Sequence, residues 1–168
     1  MNAPAATVRA ACFDQEVWIR IEGRGNLLVS GTIRKFVQAM ILRGRRVFVV
    51  DLSVCEHMDS TFMGTLTGIS QNLRELGQGS LTVINASRRN LELLENLGLN
   101  FLFGVEAAGD TPRLPAEDGA KLLELPLEPS VDKEVLLEAH EALASSNAAN
   151  AARFHDVVEY LRQQADPH

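Results

Sequence analysis

Hydrophobic and polar positions follow two different periods along residues 7–104. In Val17–Glu22 the apolar and polar residues alternate, which predicts a strand, and Thr7–Phe13 is expected to pair with it. Val47–Leu52 is a nearly continuous apolar run, the pattern of a strand buried on both faces. Two shorter apolar runs predict the remaining strands, at Leu81–Ile84 and, at the sheet edge, Asn100–Phe103.

Between the strands, apolar residues recur every three or four positions, which predicts three amphipathic helices. Each helix is followed by a glycine, the residue that most readily adopts the left-handed conformation at a helix C-terminus. The predicted helices are Ile33–Ile41, Phe62–Leu76 and Ser87–Leu97, followed by Gly44, Gly77 and Gly98. Strands that alternate with such helices need crossover connections, so we predict an α/β fold with a mixed, mostly parallel sheet.

The charge of the chain changes sign near residue 105. Residues 1–104 carry 11 Lys/Arg and 9 Asp/Glu, a net charge of +2, whereas residues 105–168 carry 5 and 13, a net charge of −8. Such a shift marks a structural boundary. The predicted parts are a domain at residues 1–105, a proline-containing acidic linker at residues 106–130 and a helical extension at residues 131–168.

The extension keeps one heptad register of mostly apolar residues over Leu136–Leu161. Because the register continues through Ser145–Asn147, it favours one long helix, whereas a break at that segment would give a helical hairpin. His140 and two asparagines lie in this seam, where polar residues weaken a core but can set the register of paired helices. We predict a homodimer through residues 131–164; the alternative is an amphipathic helix packed on its own domain.

The composition argues against several functions. Only nine residues are aromatic and no sustained basic stripe occurs, so we expect no nucleic-acid binding. No apolar stretch reaches the roughly 18 residues of a membrane span, and Met1–Ala6 lacks the features of a secretory signal. We expect a cytoplasmic protein in which Cys12 and Cys55 stay reduced.

Catalytic signatures are equally scarce. Ser60 lies between a predicted strand and a predicted helix, but it lacks the flanking glycines that a hydrolase nucleophile elbow requires. His57 is too close along the chain to serve easily as its general base. No histidine forms an i, i+4 pair, so no metal site is predicted, and no phosphate-binding glycine loop occurs. The chain is expected to be neither an enzyme nor the holder of a cofactor.

One segment, Asp59–Gly64 (DSTFMG), carries a motif. Asp59 is predicted to cap the helix that follows. The segment resembles the Asp-Ser-Ser-Gly-Leu-Gly signature of STAS domains, the fold of bacterial anti-sigma factor antagonists, and the resemblance extends over residues 7–104. Phe62 and Met63 replace the usual Gly and Leu, and Phe62 is expected either to fill the core or to alter the partner surface.

The resemblance implies a phosphorylation switch. The family's phosphate acceptor is the serine after the motif aspartate, here Ser60, with Thr61 as the second choice. It further implies that Asp59–Met63 bind an anti-sigma factor that is also a serine kinase, that phosphorylation releases this partner, and that a serine phosphatase restores binding. A phosphate adds about −1.5 to −2 charges, which a helix N-terminus tolerates but an interface beside Asp59 would not.

Two other interpretations stay open. A STAS scaffold that no longer switches and that oligomerises through its C-terminal helix would account for Phe62 and the long seam. A receiver-like module phosphorylated on Asp51 is disfavoured, because no lysine follows the late strand that ends at Ile84. Independently of these, we expect the acidic tail to cover part of the basic domain face, at Arg43, Arg45 and Arg46.

Overall fold

A computed structural model describes residues 6–109, 122–127 and 132–165. It contains a six-stranded sheet with the spatial order β5-β4-β3-β2-β1-β6. The strands are β1 Thr7–Phe13, β2 Glu16–Gly25, β3 Val47–Met58, β4 Ser80–Ala86, β5 Gly104–Ala107 and β6 Leu123–Leu125. The helices are α1 Leu27–Leu42, α2 Ser60–Glu75, α3 Arg88–Asn96, α4 Lys133–Ser146 and α5 Ala148–Ala165, with a 3₁₀ turn at Leu99–Phe101.

The strand pairing confirms the predicted α/β fold. β1 and β2 form an antiparallel hairpin, and the pairs β2–β3, β3–β4 and β4–β5 are all parallel. Each parallel pair is joined by a crossover helix, as the alternating periods predicted. The sheet is therefore mixed and mostly parallel.

The predicted strand at Asn100–Phe103 is wrong. Gly98 adopts a left-handed conformation with φ of 70° and ends α3, and a 3₁₀ turn follows before β5. Leu99 and Phe103 are both buried whereas Phe101 is 86% exposed. A strand would place all three side chains on one face, but a helical turn separates them in this way. The edge strand consequently starts at Gly104.

Part of the predicted linker belongs to the sheet. β6 pairs antiparallel with β1, which would otherwise be an edge strand with unpaired backbone groups. An ion pair between Arg9 and Glu124, with an N–O distance of 3.5 Å, supports the pairing. Residues 110–121 and 128–130 of the predicted linker lie outside the described residues.

The extension is a helical hairpin, and the long continuous helix is the wrong alternative. Asn147 has an extended backbone between α4 and α5, and its side chain accepts a hydrogen bond from the Asn150 backbone N–H at 2.8 Å. The amide groups of both asparagines donate to the Leu97 carbonyl, at 3.0 and 2.8 Å. These two asparagines of the seam therefore pack on the domain of their own chain. This matches the alternative interpretation, in which the extension packs on its own domain rather than on a second chain.

The main hydrophobic core lies on one face of the sheet, beneath the helices. Alternate residues of β2 and β3 point into it, and Leu143 of α4 joins them. The intervening positions Trp18, Val49 and Ile84 form a smaller cluster on the opposite face. Burial of β3 on both faces is confirmed, because Phe48, Val49 and Val50 are each at most 1% exposed. Among the described residues, no helix combines the length and apolarity that a bilayer crossing requires.

Candidate functional site: the N-terminus of α2

The site begins where β3 passes into α2. Asp59 has an extended backbone, and its side chain accepts a hydrogen bond from the Phe62 backbone N–H at 2.9 Å, so the predicted N-cap is confirmed. The Asp59 N–H donates to the Gly25 carbonyl at 3.0 Å, which joins this turn to the end of β2. Ser60 is thus the first residue of α2, and its side chain is partly buried.

The Ser60 hydroxyl is bound by a histidine from the extension. The distance from Ser60 Oγ to His140 Nε2 is 3.0 Å, and His140 Nδ1 lies 2.8 Å from the Leu136 carbonyl oxygen. Because a carbonyl can only accept, we assign the ring hydrogen to Nδ1, and Nε2 then accepts the hydroxyl hydrogen of Ser60. His140 is buried, and its ring packs edge-on against Phe154 with centroids 5.9 Å apart.

The sequence alone does not predict the contact between Ser60 and His140. Ser60 and His140 are 80 positions apart, and the pattern places His140 only in the heptad seam or among several isolated histidines. Its place in the apolar register is a signal for burial. No local pattern names the hydroxyl that it binds, because that contact depends on how α4 docks.

Three of the predicted partner-binding residues are buried. Phe62 is fully buried, and a Cβ on Gly25 would lie 2.9 Å from its ring, so glycine on β2 provides the space that the bulky residue needs. Phe62 therefore fills the core. Thr61 and Met63 are 6% and 5% exposed. In this conformation only Asp59 and Ser60 of the motif reach the surface, and both do so in part.

Helix α4 covers the outward side of α2, and we call its residues Ser60, Gly64 and Gly68 the small-residue face; Gln71 lies on the same side about one turn further along. A Cβ at Gly64 would overlap the backbone carbonyl of Ala139, so only glycine permits this approach. At Gly68 a Cβ would lie 3.8 Å from that of Ala142, an ordinary contact distance. The Gln71 amide donates to the Ala142 carbonyl at 3.3 Å. At Gly64 the backbones of α2 and α4 are therefore in direct contact.

Within the described residues, ion pairs join the acidic tail to the domain at arginines other than the three predicted. Arg34 of α1 makes a two-pronged pair with Glu138, with N–O distances of 2.7 and 2.8 Å. In the described part of the chain the tail's ion pairs with the domain involve Arg34 and Arg9. The side chains of Arg45 and Arg46 instead donate to backbone carbonyls of the domain, those of Asp14 and Ile41 among them.

Asp51 and the cysteines have structural surroundings. Asp51 is 3% exposed, forms an ion pair with Arg20 at 3.1 Å and accepts a hydrogen bond from Asn85, which leaves it poorly placed to accept a phosphate. Burial raises the pKa of the Cys55 thiol, whereas Cys12 is exposed. Among the described residues, no group of three or more His, Cys, Asp or Glu could hold a metal ion.

The Ser60–His140 pair has the hydrogen-bond geometry of a base-activated nucleophile. Acyl transfer also has to stabilise an oxyanion, and here the Asp59 carboxylate accepts the Phe62 N–H and carries a negative charge beside Ser60. A cleft of about 220 Å³ lies between α1, α2 and α4, and Arg34, Gly68 and Glu138 are among its lining residues but Ser60 is not. The Ser60 hydroxyl is therefore hydrogen-bonded to His140 at the contact of α2 with α4, outside the lining of this cleft.

Comparisons with known proteins agree with the fold. The profile of the STAS domain matches residues 4–111, well over half of the chain, so the chain belongs to the STAS domain family. α4 and α5 lie beyond the matched residues. No curated protein is significantly similar in sequence to the chain.

Two solved structures share this architecture. An anti-sigma factor antagonist from Mycobacterium paratuberculosis is 18% identical with a TM-score of 0.56, and the match covers 66% of this chain and 93% of that one. A Thermotoga maritima protein described as a candidate anti-sigma factor antagonist is also 18% identical, with a TM-score of 0.55 and coverage of 61% and 86%. At this identity the likeness establishes the shared fold.

Proposed function

We propose that this STAS protein is a phosphorylation-controlled partner switch. With Ser60 unphosphorylated it binds an anti-sigma factor that is also a serine kinase; phosphorylation of Ser60 releases that partner, and a serine phosphatase restores binding. The observation that carries the proposal is the position of Ser60, directly after the capping Asp59 and at the start of α2. Membership of the STAS family and the similar fold of an anti-sigma factor antagonist support the same function.

The physical basis of the switch is local charge. A phosphoserine at the first position of α2 lies near the free N–H groups and partial positive charge of the helix end, so the domain can carry it without unfolding. A partner packed against that end would have to bury the phosphate beside the Asp59 carboxylate. An uncompensated buried charge costs several kcal/mol, and each 1.4 kcal/mol is a tenfold change in affinity. One phosphate is therefore enough to release a partner.

Phosphopeptide mapping of the protein isolated from its native cells tests the assignment. The tryptic peptide Val47–Arg74 contains Ser60, Thr61 and the remaining hydroxyls of α2. A phosphatase-sensitive phosphate on Ser60 is expected, and a Ser60→Ala protein expressed in the same cells should lose it. A phosphate only on Thr61 would move the switch to a residue that is buried here. Absence of phosphate in all growth conditions would contradict the proposal.

Partner exchange provides the functional readout. Tagged Ser60→Ala protein is expected to retain a co-purifying anti-sigma factor, and Ser60→Asp protein is expected to lose it. Ser80→Asp is the matched control, because Ser80 is an exposed serine at the first residue of β4. Equal retention by all three variants would favour the scaffold interpretation. The structure itself does not favour a scaffold, because Phe62 and the polar seam residues both find partners inside the chain.

Self-association through residues 131–164 stays a prediction. The seam of α4 and α5 packs on the domain, and what α5 leaves exposed includes Val157 and Tyr160. Sedimentation velocity at tens of micromolar checks the dimer, and a purely monomeric boundary would contradict it.

A further inference from the structure

The hairpin α4–α5, which we call the cap, meets the proposed switch residue directly. It contacts the small-residue face of α2 at three successive turns, through His140 on Ser60, Ala139 on Gly64 and Ala142 on Gly68. The family match ends at residue 111, so the cap is an addition to the domain that carries the motif. Its position means that a kinase or partner approaching Ser60 meets the cap first, so the unphosphorylated protein has to open the cap before the proposed partner can bind there.

A phosphate on Ser60 and the docked cap compete for the same space. In the docked state Ser60 Oγ is 3.0 Å from His140 Nε2, and the hydroxyl donates its hydrogen to that nitrogen. A phosphoserine has no hydroxyl hydrogen at this oxygen and carries three additional oxygens, which would face the lone pair of Nε2. Since Gly64 already touches the Ala139 backbone, α4 has no room to move closer or to slide past the larger group.

The attachment of the cap is compatible with reversible docking. Its contact with α2 is made largely by small side chains, Ala139 and Ala142, which bury little apolar surface. Larger apolar side chains of the cap are buried as well: Leu143 lies in the main core, Phe154 packs against it, and Val135 is 3% exposed, so release of the cap has to expose these residues. The ion pairs with Arg34 are partly exposed, and such pairs hold weakly in water.

We propose that the cap is a reversible shield for Ser60: the docked cap and phosphate on Ser60 exclude each other. The docked cap keeps the hydroxyl from a kinase, and phosphorylation in turn keeps the cap from redocking. At equilibrium, phosphate disfavours docking of the cap by the same free energy by which docking disfavours the phosphate, because linkage makes these two effects equal. The inference rests on the proposed function in taking Ser60 as the phosphate acceptor.

Hydrogen exchange of the full chain with phosphoserine installed at position 60 by suppression of an amber codon tests the exclusion. Backbone amides of Lys133–Ser146 are expected to exchange at least about tenfold faster than in unmodified protein, because the docked helix opens. Phosphoserine at Ser80, at the beginning of β4, is the matched control and should leave α4 protected. Unchanged or slower exchange of α4 with phosphoserine at position 60 would overturn the proposal.

Disulfide trapping gives a second, independent readout of docking. A Cβ at position 68 would lie 3.8 Å from the Cβ of Ala142, within the range of about 3.5–4.5 Å that disulfides require. In a Cys12→Ser background, Gly68→Cys with Ala142→Cys should crosslink rapidly when Ser60 carries a hydroxyl and at least about tenfold more slowly with phosphoserine. Cys55 is buried and its pKa is raised by burial, so it should not interfere. Equal crosslinking rates in the two forms would overturn the proposal.

These experiments separate the two proposals. Installed phosphoserine reports on the exclusion whether or not the cells phosphorylate Ser60. If mapping finds no phosphate in cells while installed phosphoserine opens the cap, the proposed function fails and the exclusion stands. If cells phosphorylate Ser60 while the cap stays docked on phosphoserine, the switch stands and the shield is wrong.

Discussion

The two sides of α2 use opposite kinds of packing. The side toward the sheet is made of large apolar residues that are at most 7% exposed: Phe62, Leu66, Ile69 and Leu73. The side toward the cap is the small-residue face, where glycines allow backbone contact and polar groups make hydrogen bonds. Burial of a large apolar area stabilises packing even when the side chains shift slightly. A close contact that buries little apolar area loses its stabilisation once the two backbones move apart. One helix thus combines two kinds of packing, and the contact with the cap is the one that we propose to be releasable.

The largest expected effect lies on the sheet side. Phe62→Ala should lower the free energy of unfolding by about 3–5 kcal/mol, because it removes a fully buried ring and leaves a cavity beside Gly25. Urea denaturation measures the loss. Phe101→Ala is the matched control, since that ring is 86% exposed, and it should change stability by at most about 0.5 kcal/mol. Similar losses in the two variants would contradict the assignment of Phe62 to the core.

The next effect separates two glycines on the cap side. Gly64→Ala places a Cβ on the Ala139 carbonyl and should disfavour docking by about 1–3 kcal/mol, while the isolated helix propensity of α2 improves. Hydrogen exchange should show faster opening of Lys133–Ser146 with the sheet still protected. Gly68→Ala, whose Cβ makes only an ordinary contact, is the control and should leave the cap docked. Loss of protection in both variants would show that the contact at Gly64 is not special.

A smaller effect is expected from the Ser60–His140 hydrogen bond. Ser60→Ala and His140→Ala each remove the bond, and a double-mutant cycle should give a coupling of about 0.5–1.5 kcal/mol in cap docking. The single variants also lose different packing, and the cycle cancels that difference. Zero coupling would indicate that the two side chains do not interact in solution.

The smallest effect is expected from the exposed ion pair between the cap and α1. The Glu138 side chain is 45% exposed, so Glu138→Gln should weaken docking by at most about 1 kcal/mol. The difference from the unmodified protein should shrink in 1 M salt, where charges are screened over roughly 3 Å. Glu159→Gln is the control, because Glu159 pairs with Arg162 within α5 rather than with the domain. A difference that is independent of salt would argue against an electrostatic role.

The order of the strands and helices and the start of α2 follow from interactions between residues that are close along the chain. Alternating and helical periods predicted the order of the first four strands and three helices. The short polar side chain of Asp59 predicted that this residue is the N-cap of α2. Both depend on groups only a few positions apart, so their physics is contained in the sequence. Ser60 could be placed at the start of α2 for the same reason.

The tertiary structure decided what depends on approach between distant segments. The heptad register runs unbroken past Asn147, because a turn that preserves spacing leaves no mark in the pattern, and only docking on Leu97 shows that the chain reverses there. β6 joined the sheet because β1 offered an unpaired edge. The contact of His140 with Ser60 likewise follows from the space that Gly64 leaves for α4, a property of two packed helices that neither segment encodes alone.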